Sequence, residues 1–304
     1  MKEQTYVCQT LAEIKNATSN LDKAVEVPLK IDDGGVLKDV EKFKGIYNVS
    51  KGKFAAAVVN HYQLVSHKQY FDSFAEALNR LGLNFTMEIT QQGNRAFADI
   101  EFKGRNIKYD KLNEEFTTGI RLINSYDKTT GLFVVPRFTR LACMNGMIIS
   151  AYEKVVSVKH IDKSIREIEG FVEGRISAII NARDDLKGWV SESMKDSIEW
   201  KMACRIIGKL FDQLKHREKI LQKLGVDVVI VTDKKTNKKS VSYVWTDKSK
   251  MKAKFNRWDM YNAVTSYLTH GEHITPHVEN VLQKKAQRLL LTPLAKLPME
   301  KGVI

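Results

Sequence analysis

The chain has 304 residues, 43% of them hydrophobic, and 49 Lys+Arg stand against 36 Asp+Glu for a formal net charge of +13. That is enough apolar material for one large core or two smaller ones without staples, and the widely spaced Cys8, Cys143 and Cys204, with no CxxC pair, argue against a disulfide framework and for a reducing compartment. No apolar run approaches the roughly 18 residues needed to span a bilayer and MKEQTYVCQT lacks the apolar stretch of a signal peptide, so the expectation is a soluble, cytoplasmic protein.

Residues 1–43 read as an N-terminal arm, a short helix followed by an extended segment with Pro28 and the turn signal Asp32-Asp33-Gly34-Gly35. An α+β core domain is expected over 44–155. It opens with three strand-like runs, GIYNVS, FAAAVVN and YQLVS. Ser66 and Gln69 have capping-box spacing, and Tyr70, Phe74, Ala77, Leu78 and Leu81 recur at helical intervals up to Gly82. LNFTMEIT and RAFADIEF alternate on either side of Gln92-Gly93-Asn94, as a half-buried antiparallel hairpin does. A charged linker through Asp110 leads to a second pair, FTTGIRLIN and TGLFVVPRF, around Asp127-Lys128. Asn145-Gly146 then marks a type I′ turn or the end of a helical turn.

A helical region is expected over 156–225. Ile161, Ile165, Ile168, Val172, Ile176 and Ile179 form one stripe, and a second amphipathic segment runs from Ile198 to Leu224 with Trp200, Ile207, Leu210, Leu214 and Leu221. Residues 226–304 read as a basic β-hairpin, VDVVIVT and SVSYVW, followed by C-terminal helices: an aromatic-faced one from Phe255 and a basic one from Gln283 to Leu291. The fold class is therefore α+β, an antiparallel sheet with packed helices, then long amphipathic helices and a basic hairpin with helices.

Charge is unevenly placed. Residues 201–304 hold 21 Lys+Arg and 9 Asp+Glu, a net of +12, whereas residues 1–200 hold 28 and 27, a net of +1. The excess peaks in Lys234, Lys235, Lys238, Lys239, Lys248, Lys250, Lys252, Lys254 and Arg257, with Tyr243, Trp245, Phe255, Trp258 and Tyr261 interleaved or alongside. Cations neutralise phosphates and flat rings stack on unpaired bases, so this pattern suits a single-stranded polyanion. The structural alternative is a solvated hairpin whose rings pack inward.

No catalytic set emerges. The sequence has no GxxxxGK[ST], no GxGxxG opening a helix and no GxSxG, and no cofactor is implied. His270, His273 and His277 have the residue type of zinc ligands but lack a fourth ligand nearby and are not an HExxH pair, so a polar turn ahead of Pro276 is the plainer reading. Asp99 and Glu101 share a strand face near Asp127, the raw material of a metal-dependent nuclease, although Asp127 also suits an Asx turn. Arg137 and Arg140 stand at the end of the β section. Arg140 either clamps a phosphate or pairs with Asp127.

Three segments, Asn124-Ser125-Tyr126-Asp127, Arg140-Leu-Ala-Cys143-Met-Asn145-Gly146 and Trp258…Asn262-Ala263-Val-Thr265-Ser-Tyr267, resemble the recurring marks of an uncharacterised family of phage- and plasmid-encoded proteins over about residues 45–270. The family turn usually continues Asp-Gly, where this chain has Asp127-Lys128. The order of helix, two hairpins and long helix is also similar to phage single-strand annealing proteins of the RecT, Red-beta and Erf kind. That likeness implies ATP-independent rings or filaments holding one strand in a basic groove. The resulting expectation is a homo-oligomeric, non-enzymatic protein binding or annealing single-stranded DNA, RNA not excluded, in recombination or replication. Lys234, Lys235, Lys238, Lys239, Lys248, Lys250, Lys252, Lys254, Arg257, Arg137 and Arg140 would meet phosphates, and Trp245, Phe255 and Trp258 would stack. A module binding an acidic host or phage protein is the alternative, a nuclease the third.

Overall fold

The computed structural model describes residues 4–109, 114–140, 145–148, 156–158, 186–232, 237, 239–246, 252–271 and 274–299. The chain is α+β with antiparallel sheets, as its composition and periodicity predict, and it divides into two compact units. The first comprises residues 1–107, 117–138 and 153–181; the second comprises 108–116, 139–152 and 182–304. The Ile161 to Ile179 stripe lies outside the described residues.

A sheet ordered β1-β5-β6-β7-β8-β10, with β9 pairing to β8, provides the first unit with its core. Its strands are β1 (Gln4–Cys8), β5 (Phe85–Gln92), β6 (Arg95–Tyr109), β7 (Glu114–Ser125), β8 (Leu132–Arg140), β9 (Asn145–Ile148) and β10 (Val156–Val158). The hairpin expected around Gly93-Asn94 is present, with Gln92 opposite Arg95 and Phe85 opposite Phe102. Alternation sends Met87, Ile89, Ala98, Ile100, Ile120, Leu122, Leu132 and Val134 into one core. Onto that face pack α1 (Leu11–Ser19), capped by Thr10 and Glu13, and α2 (His67–Arg80), whose Tyr70, Phe71, Phe74 and Leu78 are buried. The predicted start and stop of α2 are realised: Ser66 Oγ accepts from the Gln69 N–H at 3.0 Å, and Gly82 has φ +65° just past the end.

The N-terminal arm is more ordered than an extended segment. Strands β2 (Ala24–Asp33), β3 (Val36–Asn48) and β4 (Lys53–Val59) form a three-stranded sheet in which Gly34-Gly35 make the expected turn. The third strand-like run, YQLVS, is not a strand. Its backbone hydrogen bonds go elsewhere, the Leu64 N–H to Glu26 Oε1 at 3.0 Å and the Val65 carbonyl to Asn124, while Tyr62 and Leu64 pack on Ile46 and Tyr126. Strand β6 also continues through the supposed charged linker to Tyr109, because ladder pairing tolerates polar side chains on an open face.

The second unit contains helical residues 186–194 (α3), then β11 (Ile198–Glu199), α4 (Trp200–Leu210), α5 (Leu214–Lys223), β12 (Val226–Thr232), β13 (Lys239–Trp245), β14 (Lys254–Phe255), α6 (Arg257–His270) and α7 (Pro276–Leu291). The segment from Ile198 to Leu224, read as one amphipathic stretch, is two helices. The break at 211–213 is held by Arg217, whose buried guanidinium donates to the Gly208 carbonyl at 2.8 Å and so satisfies the open end of α4. Helix α6 is buried nearly all round, from Trp258 to Leu268, which marks a central helix. Asn145-Gly146 open β9 instead of forming a turn. No helix among the described residues is long and apolar enough to cross a membrane.

Candidate nucleic-acid interface

The predicted basic hairpin exists. Strands β12 and β13 pair from Val226 opposite Trp245 to Thr232 opposite Lys239. Period-two alternation puts Val226, Val228 and Ile230 on one face with Val241, Tyr243 and Trp245, and Val229 and Val231 on the other with Val244. At the base of the first face is an aromatic cluster. The Trp245 ring lies 5.4 Å from Trp200, tilted by 53°, and 6.0 Å from Phe255, nearly parallel to it. Both tryptophans are half-buried, whereas Phe255 is buried and forms the floor.

Cations ring this cluster. Lys201 Nζ sits 5.9 Å from the Trp200 ring centre and Lys252 Nζ 5.4 Å from Phe255. Lys252 is also 2.6 Å from Asp259, and Lys254 is 3.8 Å from Glu199, both pairs at the surface where such contacts are weak and exchangeable. Lys201, Lys239, Lys252 and Lys254 are all exposed. Lys234, Lys235, Lys238, Lys248 and Lys250 lie outside the described residues.

Four of the expected contact residues are held by the fold. Trp258 is 3% exposed, stacked on Tyr261 and edge-on to Phe116, so it is core and not a stacking surface. Phe255 is 5% exposed and serves as the floor described above. Arg257 is 6% exposed, paired with Asp196 and donating to the Thr292 carbonyl at 2.5 Å. It ties the start of α6 to the end of α7 and offers no charge to a phosphate. Arg137 Nη1 lies 2.9 Å from Asp99 Oδ2 on the sheet of the first unit. The residue that sequence reasoning missed is Trp200, read as helix core. The signal was weak: it precedes Lys201 at a helix start, and its pairing with Trp245 spans 45 positions of sequence.

The acidic residues are likewise engaged. Ile100 and Ala98 point to the helices, so Asp99 points to the opposite face of the sheet, where Arg121 grips it through Nε at 2.5 Å and Nη2 at 2.6 Å. Burial alone would raise the Asp99 carboxyl. The guanidinium of Arg121, then that of Arg137, outweigh it and hold the acid below the ordinary carboxylate range. Asp127 Oδ1 accepts from the Thr129 N–H at 3.1 Å, the Asx turn expected, and its ion-pair partner is Arg95 at 3.9 Å. A metal ion at Asp99 would have to displace two guanidinium groups, so the geometry does not favour nuclease chemistry. Among the described residues no group of three or more His, Cys, Asp and Glu is placed to hold a metal; His273 lies outside them, as does Cys143.

The four-residue motif at Asn124 is a clasp. Asn124 Nδ2 donates to the Val65 carbonyl at 3.0 Å, and Ser125 Oγ donates to the Thr130 carbonyl and accepts from the Thr130 N–H, closing the β7–β8 turn. The Tyr126 hydroxyl accepts from the His67 N–H at 2.9 Å and donates to the Asp22 carbonyl at 3.1 Å, while its ring stacks 3.8 Å from the His67 imidazole. Burial pushes this phenol up to about 12, so it keeps the proton that the Asp22 carbonyl receives.

The chain belongs to a family described as a domain of unknown function (DUF932), whose model matches residues 55–290. No curated protein and no solved structure matches it. Within the turn that follows Asp127, Lys128 has φ +61°, a conformation easy for glycine and strained for lysine. Replacing Lys128 by glycine is expected to stabilise the chain by about 0.5–1 kcal/mol, since strain relief exceeds the exposed bond from Nζ to the Ala57 carbonyl. A thermal melt checks this, with a rise of a few degrees the expected result.

Proposed function

We propose that this chain is an ATP-independent protein of a phage or plasmid that binds and anneals single-stranded DNA in recombination or replication. The observation that carries the reading is the half-exposed Trp200–Trp245 pair, with Lys201 over Trp200 and Lys252 over the adjoining Phe255, at the base of a hairpin whose connecting residues include Lys234, Lys235 and Lys238 in the sequence. Two rings that keep an open edge can stack successive bases, and flexible surface lysines follow a phosphate backbone without regard to sequence. The net +12 of the last 104 residues supplies the longer-range attraction.

Filter binding over a salt series tests it. Alanine at Lys234, Lys235, Lys238 and Lys239 should flatten the log K against log salt slope by about 2.8, four contacts at about 0.7 each. Alanine at Trp200 or Trp245 should weaken binding roughly 5- to 100-fold with little change in slope. An unchanged slope in the lysine variant overturns that assignment.

A second reading is favoured by a separate observation. Val229, Val231 and Val244, on the face of the hairpin away from Tyr243 and Trp245, are 40%, 46% and 43% exposed, which suits a protein partner. A module that binds only an acidic protein would ignore oligonucleotides at physiological salt.

A further inference from the structure

Between the pairs Pro28–Lys44 and Lys30–Asp39, β2 contributes one residue, Leu29, and β3 contributes four, 40–43. The two strands part there, and the bulge opens a groove of about 520 Å³, within the size range of sites that hold small ligands or a few residues of peptide. Val27, Leu29, Val40 and Phe43 give it an apolar lining. A Cβ on Gly45 would stand 2.9 Å from Val27 and Phe54 and 3.2 Å from Leu29, so these side chains close over the bare backbone of Gly45 as one floor. The floor is the outward face of the three-stranded sheet, since Ile46, Ala56 and Val58 on the other face are buried against Tyr126. Phe43 and Phe54 are 45% and 54% exposed on it, a cost in water that a partner would relieve.

The rim is acidic. Glu26, Asp39 and Glu41 stand against Lys30 and Lys44, a net of −1 in a chain of net +13. Lys44 engages Glu26 at 2.6 Å, and Lys30 meets Asp39 at 3.7 Å, an exposed and exchangeable contact. The Glu41 carboxylate has no cationic partner among the described residues; only the backbone carbonyl of Glu41 is used, by Asn60. Strand β4 stops at the same place: its last pair is Val59 with Phe43, after which the Asn60 N–H donates to the Lys42 carbonyl at 3.3 Å. From Val36 to Asp39, β3 is therefore paired on the β2 side alone among the described residues. An open strand edge accepts an extended chain through main-chain hydrogen bonds, while alternate side chains of that chain reach the face beside it. We propose that the groove docks an extended segment of a partner protein that carries a bulky apolar residue and, two positions away, a lysine or arginine. Residues two apart point to the same side of an extended chain, so the apolar side chain settles on Leu29 and Phe43 while the cation meets Glu41 and Asp39. The site uses the first unit alone and is independent of the strand-binding reading; its free carboxylate repels a phosphate backbone.

Fluorescence anisotropy of two labelled peptides against the full chain at physiological salt tests the site. In the peptide SLSRSRS the leucine and both arginines share one side of an extended chain; in SSLRSRS, of the same composition and charge, the leucine points away from them. The first is expected to bind saturably and at least about fivefold tighter than the second. Glu41→Lys, altered at an exposed position, should weaken the first peptide roughly 5- to 20-fold by replacing an attraction with a repulsion, and Phe43→Ser should weaken it about tenfold by removing the apolar contact, each with an unchanged circular dichroism spectrum. Glu41→Lys carries the test alone if Phe43→Ser does not fold. Sedimentation of the chain with saturating peptide should give the mass of the free chain plus peptide. Equal binding of the two peptides, which is charge attraction only, or full binding to Glu41→Lys overturns the proposal. So does a fall in the mass of the chain when peptide is added, which would make a second copy of the chain the occupant.

Discussion

An Arg121→Met chain is expected to lose about 3 kcal/mol of stability, read as a lower urea midpoint. Arg121 is 2% exposed, and two of its nitrogens donate to the two oxygens of Asp99. Removing one member of a buried ion pair typically costs about 3–5 kcal/mol because the other charge is left uncompensated. Arg137 stays 2.9 Å from Asp99 and shares the load, which places the expectation at the lower end. Asp99→Leu combined with Arg121→Met should cost less than Arg121→Met alone, since the buried carboxylate is no longer left short of a partner and Arg137 keeps the Glu88 carboxylate nearby. The pH dependence follows from the sign of the shift. Asp99 is held below its ordinary range in the folded chain, so its contribution is present above the unfolded value of about 3.9 and is lost as pH falls through the folded value. The gap between the two chains should narrow as the solution is acidified. A gap that widens would show that Arg121 acts through something other than this carboxylate.

Gly119→Ala is expected to be nearly as damaging. A Cβ built on Gly119 would stand 2.1 Å from the Ile100 carbonyl oxygen and 3.3 Å from the Glu101 Cα, both backbone atoms of the neighbouring strand. No rotamer relieves such a contact, so β6 and β7 must separate locally, and a loss of about 3 kcal/mol, the upper part of the overpacking range, is the expected result. Gly188 provides the comparison. It lies in helix α3 with nothing within 4 Å of a built Cβ, and alanine there should stabilise by up to about 1 kcal/mol. Equal urea midpoints for the two variants would contradict the steric account.

What the sequence disclosed follows the range of the forces involved. Helix α2 and the hairpins β5–β6 and β12–β13 were legible because their determinants are local: a cap at Ser66, a Gly93-Asn94 turn and alternating side chains. Strand β1 and the ordered arm were not, because β1 exists only by pairing with β5, 79 to 87 positions away. The site divides the same way. Interleaved lysines and rings predicted a basic hairpin with Trp245 beside it, but no local pattern tells whether a ring faces water or core, and Phe255 and Trp258 face the core. Arg137 looked available until Asp99, on another strand, was seen to hold it. Asp127 was legible as a turn-former because an Asx turn needs only its own two successors.

The Tyr126 clasp has a consequence in time. Its hydroxyl meets a carbonyl 104 residues earlier in the chain, at Asp22, the residue from which the arm departs. At about 5–20 residues per second, ribosomal synthesis takes roughly 5 to 20 s to cover that distance. Throughout this interval the arm's strands, with Val36 and Leu37 in water, have emerged without the tyrosine that fastens their base. A nascent chain therefore carries this apolar ribbon for seconds before the tyrosine that fastens its base is made.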